Sequence, residues 1–205
     1  KDENSKRAKK VKTIGLLGGM SWESTDLYYQ QLNKSVQQKL GKLHSAKIVL
    51  ISVDFAEIEI LQRQGLWDDA ALYLKEKAIQ LEKAGVEGIL LCTNTMHKVA
   101  SAIESSVSVP FIHIADATAK DVLNQNIGKV GLLGTQFTME QDFYKHRLEQ
   151  QGINVLVPNQ AHRQMVHNII YDELCLGVIK EESRQKYIHI VEQLITSNPL
   201  FSRVF

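Results

Sequence analysis

Short apolar runs alternate with amphipathic stretches along nearly the whole chain, and this alternation restricts the fold more than any other feature. A run that is apolar throughout belongs between neighbouring strands with helices on both faces, the pattern of a parallel sheet joined by crossover helices. Residues 13–17, 48–53, the run ending at Cys92, 110–114, 129–133 and 154–157 read as strands. Between them the spacing predicts a helix over 22–40, with Leu27, Leu32, Val36 and Leu40 near helical period. A second covers 68–84, acidic at its start, with Lys83 in its last turn and Gly85 as C-cap. Further helices are predicted over 117–123, 139–151, 164–174 and 181–195.

An internal echo sharpens this plan. Lys12-Thr13-Ile14-Gly15-Leu16-Leu17-Gly18-Gly19 recurs as Gly128-Lys129-Val130-Gly131-Leu132-Leu133-Gly134-Thr135, with Gly15 falling on Gly131, 116 positions later. Each copy opens its own series of strands and helices, so two similar lobes are expected: 12–115, and 116–205 after a charged tail over 1–11. Ligands in such sheets bind beyond the carboxyl ends of the strands, which places a site in the cleft between the lobes. The same offset puts a counterpart of Cys92 near position 208, past Phe205, and Pro199 to Phe205 show neither a strand pattern nor a polar cluster. The expectation is that the second half of the site is missing from this chain.

Composition excludes several classes. The net charge is +1, and the one concentrated basic stretch, Lys1 to Lys10, lacks the aromatic residues that stack on bases, so it reads as a solvated tail and no nucleic-acid partner is expected. No apolar run approaches the roughly 18 residues of a membrane span. Two cysteines, Cys92 and Cys175, form no disulfide framework and no C-x-x-C pair, which suits a reducing, cytoplasmic setting.

The chemistry-bearing residues follow the buried run Gly88-Ile89-Leu90-Leu91. In Cys92-Thr93-Asn94-Thr95 the backbone N–H groups of a strand-to-helix turn and three polar side chains can hold a carboxylate. Cys92 is either a thiol lowered by a helix N-terminus, able to take a proton, or a packed core cysteine. The turn Leu17-Gly18-Gly19-Met20-Ser21 matches no dinucleotide or P-loop fingerprint, and Ser21 or Ser24 is expected to cap the next helix. Its counterpart, Gly134-Thr135-Gln136-Phe137-Thr138, offers two hydroxyls. Gln62 is placed on a polar loop, reaching the cleft or solvated. His113 reads as a packed sheet residue, and His97 as a helix-start residue that can touch the cleft. His162, His167 and His189 lack metal-ligand spacing, so no metal and no cofactor is expected.

Lys12 to Thr25, Leu91-Cys92-Thr93-Asn94-Thr95-Met96-His97-Lys98 and Leu133 to Glu140, in that order, resemble the aspartate/glutamate racemase family over about residues 12–196. The similarity is greatest to its bacterial L-aspartate/glutamate-specific or broad-specificity branch. The resemblance implies an α/β fold of two Rossmann-like lobes, parallel sheets and an intervening cleft. It also implies cofactor-independent interconversion of L- and D-aspartate or glutamate by two facing acid/base residues, and frequent homodimers. The family motif carries Cys-Asn-Thr in the first lobe, and here its catalytic position falls on Thr93, with Cys92 one place earlier. The family's second-lobe Gly-Cys-Thr-Glu does not occur, and Cys175 lies in Asp172-Glu173-Leu174-Cys175-Leu176-Gly177, where many relatives carry a substrate-binding Lys. The implied substrate-binding residues are Met20, Gln62, Thr93, Asn94, Thr95, Thr135 and Glu173. Alternatives within the fold are a hydantoin racemase, a maleate isomerase, an arylmalonate decarboxylase or a non-catalytic truncated member.

Overall fold

The computed structural model describes residues 11–198 and the two-residue strand 203–204; the basic tail 1–10 lies outside the described residues. The chain runs β1 (Thr13–Gly18), α1 (Trp22–Leu40), β2 (Lys47–Ser52), α2 (Phe55–Gln64), α3 (Trp67–Lys83) and β3 (Ile89–Leu91). A 3-10 turn (Thr95–Val99) then leads to α4 (Ala100–Glu104), β4 (Phe111–Ile112) and α5 (Ile114–Asn124). The remainder is β5 (Lys129–Gly131), α6 (Gln136–Glu140), α7 (Asp142–Glu149), β6 (Asn154–Leu156), α8 (Gln160–Asp172), a 3-10 turn (Leu174–Leu176), α9 (Glu181–Thr196) and β7 (Arg203–Val204).

These strands form two all-parallel sheets, ordered β2-β1-β3-β4 and β6-β5-β7. The first strand of each lobe is central and is flanked by the next two, so the repeat seen in the sequence is a repeat of topology. Gly15 of β1 pairs with Val49 and Ile89, while Gly131 of β5 pairs with Leu156 and Val204. Ile89 and Val204 thus hold equivalent places beside the glycines of the two central strands. The pairing of Arg203 and Val204 makes a strand of two of the residues read as patternless, while 199–202 and 205 lie outside the described residues. A two-residue strand has no periodicity of its own and is defined by its ladder partner.

Burial explains which runs became central strands. Leu16, Leu17, Ile89 and Leu91 are buried, whereas β2, at the sheet edge, leaves Leu50 exposed. Burying such a side chain contributes roughly 1.5–3 kcal/mol. One face of α3, carrying Ala70, Leu74, Ala78 and Leu81, closes the first core together with Ile58 of α2. A separate core joins Ala115, Ala119 and Val122 of α5 to Val130, Tyr144 and Leu148. The bidentate pair Arg147–Asp116, at 2.6 and 2.8 Å, ties α7 to α5 at the surface.

Several local expectations change. Gln62 lies on α2 and not on a loop: Asp54 caps this helix by accepting from the Ala56 N–H, and Gly65 ends it in the left-handed conformation. His113 is not a strand residue but the N-cap of α5, its Nδ1 accepting from the Ala115 N–H. The helix expected over 139–151 is two, broken at the extended residue Gln141. Neither Ser21 nor Ser24 caps α1 through its side chain; the Ser24 hydroxyl donates to the Cys92 carbonyl at 3.4 Å. No described helix is long and apolar enough to cross a membrane.

Candidate active site

The carboxyl ends of β1, β3 and β5 open onto one cavity of about 620 Å³, walled by both lobes. From the first lobe come the turn after β1, the start of α1, α2, and Thr93 to Thr95; from the second come Gly134, Thr135, Thr138 and the end of α8. Met20, Gln62, Thr93, Asn94, Thr95 and Thr135, six of the residues expected at the site, line this cavity. Cys92 and Glu173 do not.

The turns that carry these residues are tightly determined. Thr25 locks the first: its Oγ1 accepts from the Gly19 N–H at 2.8 Å and donates to the Ser21 carbonyl at 3.0 Å. Gly18 is required there because a Cβ would lie 2.4 Å from the Thr25 side chain. The second lobe repeats the device, with Gly134 packed on Thr138 and the Thr135 Oγ1 accepting from the Thr138 N–H at 3.3 Å. The two lobes then meet through the buried hydroxyls of Thr95 and Thr135, 2.9 Å apart.

A second bridge runs through Gln62. Its amide nitrogen donates to the Met96 sulfur at 2.9 Å, and its oxygen accepts from the Tyr171 hydroxyl at 2.8 Å. Burial holds the Tyr171 phenol well above its usual range, so it remains a donor. Tyr171 stacks on Phe55 at the cavity wall, and Trp67 meets Phe137 edge-on at 5.2 Å, so aromatic contacts also join the two lobes. Tyr171 escaped the sequence reading because an isolated tyrosine on an amphipathic helix carries no motif.

Thr93 is positioned through its backbone. His97 is buried, its Nδ1 lies 2.7 Å from the Thr93 carbonyl, and its Nε2 accepts from the Ile114 N–H at 3.2 Å. Since Nε2 accepts, Nδ1 carries the proton that it donates to Thr93. His97 therefore does not touch the cleft; it pins the strand end to the start of α5. Burial, reinforced by the neighbouring His113, holds the His97 pKa down at about 3, and burial with Arg147 nearby holds His113 at about 4. Both rings are neutral when folded and gain protons on unfolding below the ordinary histidine pKa of about 6.5. Stability is therefore complete above about pH 6.5 and falls as pH drops towards 4, by up to about 1.4 kcal/mol per pH unit per ring. Carboxylates held low, such as Asp116 beside Arg147, add their own loss only below about pH 4.5. Urea midpoints at about pH 7 and about pH 5 are expected to differ accordingly, and equal midpoints would contradict neutral burial.

Of the two readings of Cys92, burial favours the packed core cysteine over the lowered thiol. Cys92 is fully buried, and desolvation pushes its pKa up to about 12. Glu173 turns away into its own turn, where one carboxylate oxygen accepts from the Ser183 hydroxyl at 3.0 Å and faces Lys180 at 3.4 Å.

Residues 17–199, a span that takes in every cavity residue named above, match the family described as Asp/Glu/Hydantoin racemase. The broad specificity amino-acid racemase RacX of Bacillus subtilis (strain 168) is 26% identical over 180 residues, covering 78% of this chain and 79% of that protein. A solved structure from Yersinia pestis, provisionally described as an Asp/Glu racemase, is 54% identical with a TM-score of 0.83, covering 91% of this chain and 82% of its own. An aspartate racemase homologue from Pyrococcus horikoshii OT3 is 34% identical with a TM-score of 0.74, covering 91% and 80%.

Proposed function

The chain belongs to the Asp/Glu/hydantoin racemase family, and from that premise we propose that it is an amino-acid racemase that needs no cofactor and exchanges the α-proton of aspartate or glutamate between the lobes. The observation that carries this reading is the Thr95–Thr135 hydroxyl bond of 2.9 Å, which brings the motif turns of both lobes together over one cavity. Thr93, on the cavity wall at the end of β3, is assigned the α-proton on one face of the substrate. The C–H bond breaks as its electron pair stays on the α-carbon, and a proton delivered to the opposite face completes inversion. In this reading that proton comes ultimately from solvent, which is why solvent deuterium reports the step.

The remaining wall supplies binding. Asn94, Thr95 and Thr135 offer neutral donors to a carboxylate, and Met20 and Gln62 bound the side-chain end. A hydroxyl is a weak base, so the reaction depends on close placement and on a cavity that excludes water. The backbone of Thr93, held by His97, supplies the placement. Two free cysteines, one buried and one half-buried, suit a cytoplasmic setting.

The test is solvent exchange. Incubation of L-aspartate and L-glutamate with the protein in deuterium oxide is expected to yield α-deuterated amino acid together with the D-enantiomer. Deuterium gain without inversion would leave one active face, and absence of both exchange and inversion across the common amino acids would refute the racemase reading.

A further inference from the structure

Glu23 is a cavity residue that the roles above do not use. It lies in the first turn of α1, lines the cavity and rests against the Gly177 turn, its Oε1 being 3.4 Å from where a Cβ on Gly177 would be. Its Oε2 is buried and has no hydrogen-bond partner. No ion pair to Glu23 occurs among the described residues, and no lysine, arginine or histidine is among the described residues of the cavity wall. Asp26, the other carboxylate on the wall, is exposed and already accepts from Gln30 at 2.6 Å. A carboxylate oxygen taken out of water without a partner is costly, and a cation or strong donor entering the cavity removes that cost.

We infer that Glu23 binds the amino-acid substrate by receiving one of its ammonium groups. This rests on the racemase reading, since every substrate of such an enzyme carries an α-ammonium. An acidic residue in a first helical turn also interacts favourably with the helix dipole, but that effect acts on the fold and is indifferent to the ligand.

Calorimetric titration of the wild-type chain and Glu23→Gln with two matched ligand pairs tests the assignment. L-aspartate and succinate differ by the α-ammonium; L-lysine and L-norleucine differ by a side-chain ammonium. Loss of one charged hydrogen bond weakens binding roughly 10- to 100-fold. If the α-ammonium is held, Glu23→Gln weakens L-aspartate by that factor while succinate changes less than about threefold, and lysine and norleucine weaken alike. If a side-chain ammonium is held, lysine weakens far more than norleucine, and aspartate and succinate respond equally.

Equal affinities in wild type and variant for all four ligands, equal weakening of all four, or no amino-acid binding by the wild-type chain would overturn the assignment. Glu23→Asp, which keeps the charge, is expected to retain part of the lost affinity, and far-ultraviolet circular dichroism verifies that each variant is folded. Exchange in deuterium oxide is measured separately, so a chain that binds ammonium ligands through Glu23 but exchanges no α-proton refutes the racemase reading and leaves the binding assignment standing.

Discussion

Thr93→Ala is expected to lower α-proton exchange roughly 100- to 10,000-fold, the usual contribution of a positioned general acid or base, while amino-acid affinity changes little. Thr93 sits at the end of a buried strand, its carbonyl is fixed by His97, and it lines the cavity that both lobes wall. Removing its hydroxyl deletes the proposed proton carrier without touching the Thr95–Thr135 contact. Thr93→Ser, which keeps the hydroxyl, is expected to retain most exchange. Cys92→Ala makes the complementary test: this thiol is fully buried and is held protonated up to about pH 12. Its loss should therefore cost stability through a small cavity, on the order of 1–2 kcal/mol, and leave exchange within a few-fold. Wild-type exchange in Thr93→Ala, or a collapse of exchange in Cys92→Ala with the fold intact, would return the chemistry to the thiol.

The adjacent Cys92 and Thr93 also show how far sequence patterns reach. The polar cluster after 88–91 was legible because a buried apolar run that turns abruptly polar marks a strand end, and the echo of 12–19 in 128–135 predicted the paired topology of β1 and β5. The electrostatics were not legible. A helix N-terminus and deep burial move a thiol in opposite directions, and only the packing decides between them. Helix α2 was hidden for a related reason: its buried face is Ile58 and Gln62, and a polar residue on the inward stripe erases the apolar period that announces a helix. Gln62 is inward because Met96 and Tyr171 are there to receive it, and Tyr171 belongs to the other lobe, 109 residues away. Glu23 is legible only as a first-turn acid until the Gly177 turn closes over it.

Stability is expected to be most sensitive at Gly19. Its φ of +93° is a conformation that side chains rarely adopt, and a Cβ would stand 2.3 Å from the Val53 carbonyl oxygen and 2.6 Å from the Val53 nitrogen. Neither atom can retreat cheaply, because the Val53 N–H donates to the Gly18 carbonyl at 3.0 Å and fastens the end of β1 to the segment after β2. Gly19→Ala thus combines backbone strain of about 1 kcal/mol or more with overpacking of about 1–3 kcal/mol. Their sum is a large part of the roughly 5–15 kcal/mol that holds a domain of ordinary stability folded. Gly152 separates the two contributions, since its φ is +83° and nothing lies within 4 Å of where its Cβ would stand; Gly152→Ala should therefore show the strain alone. Urea unfolding of both variants checks this, with Gly19→Ala expected to lose at least about 2 kcal/mol more than Gly152→Ala. Equal losses would mean that the turn bearing Met20, Ser21 and Glu23 yields to a methyl group, and the close approach of Gly19 to Val53 would then not be what fixes that wall of the cavity.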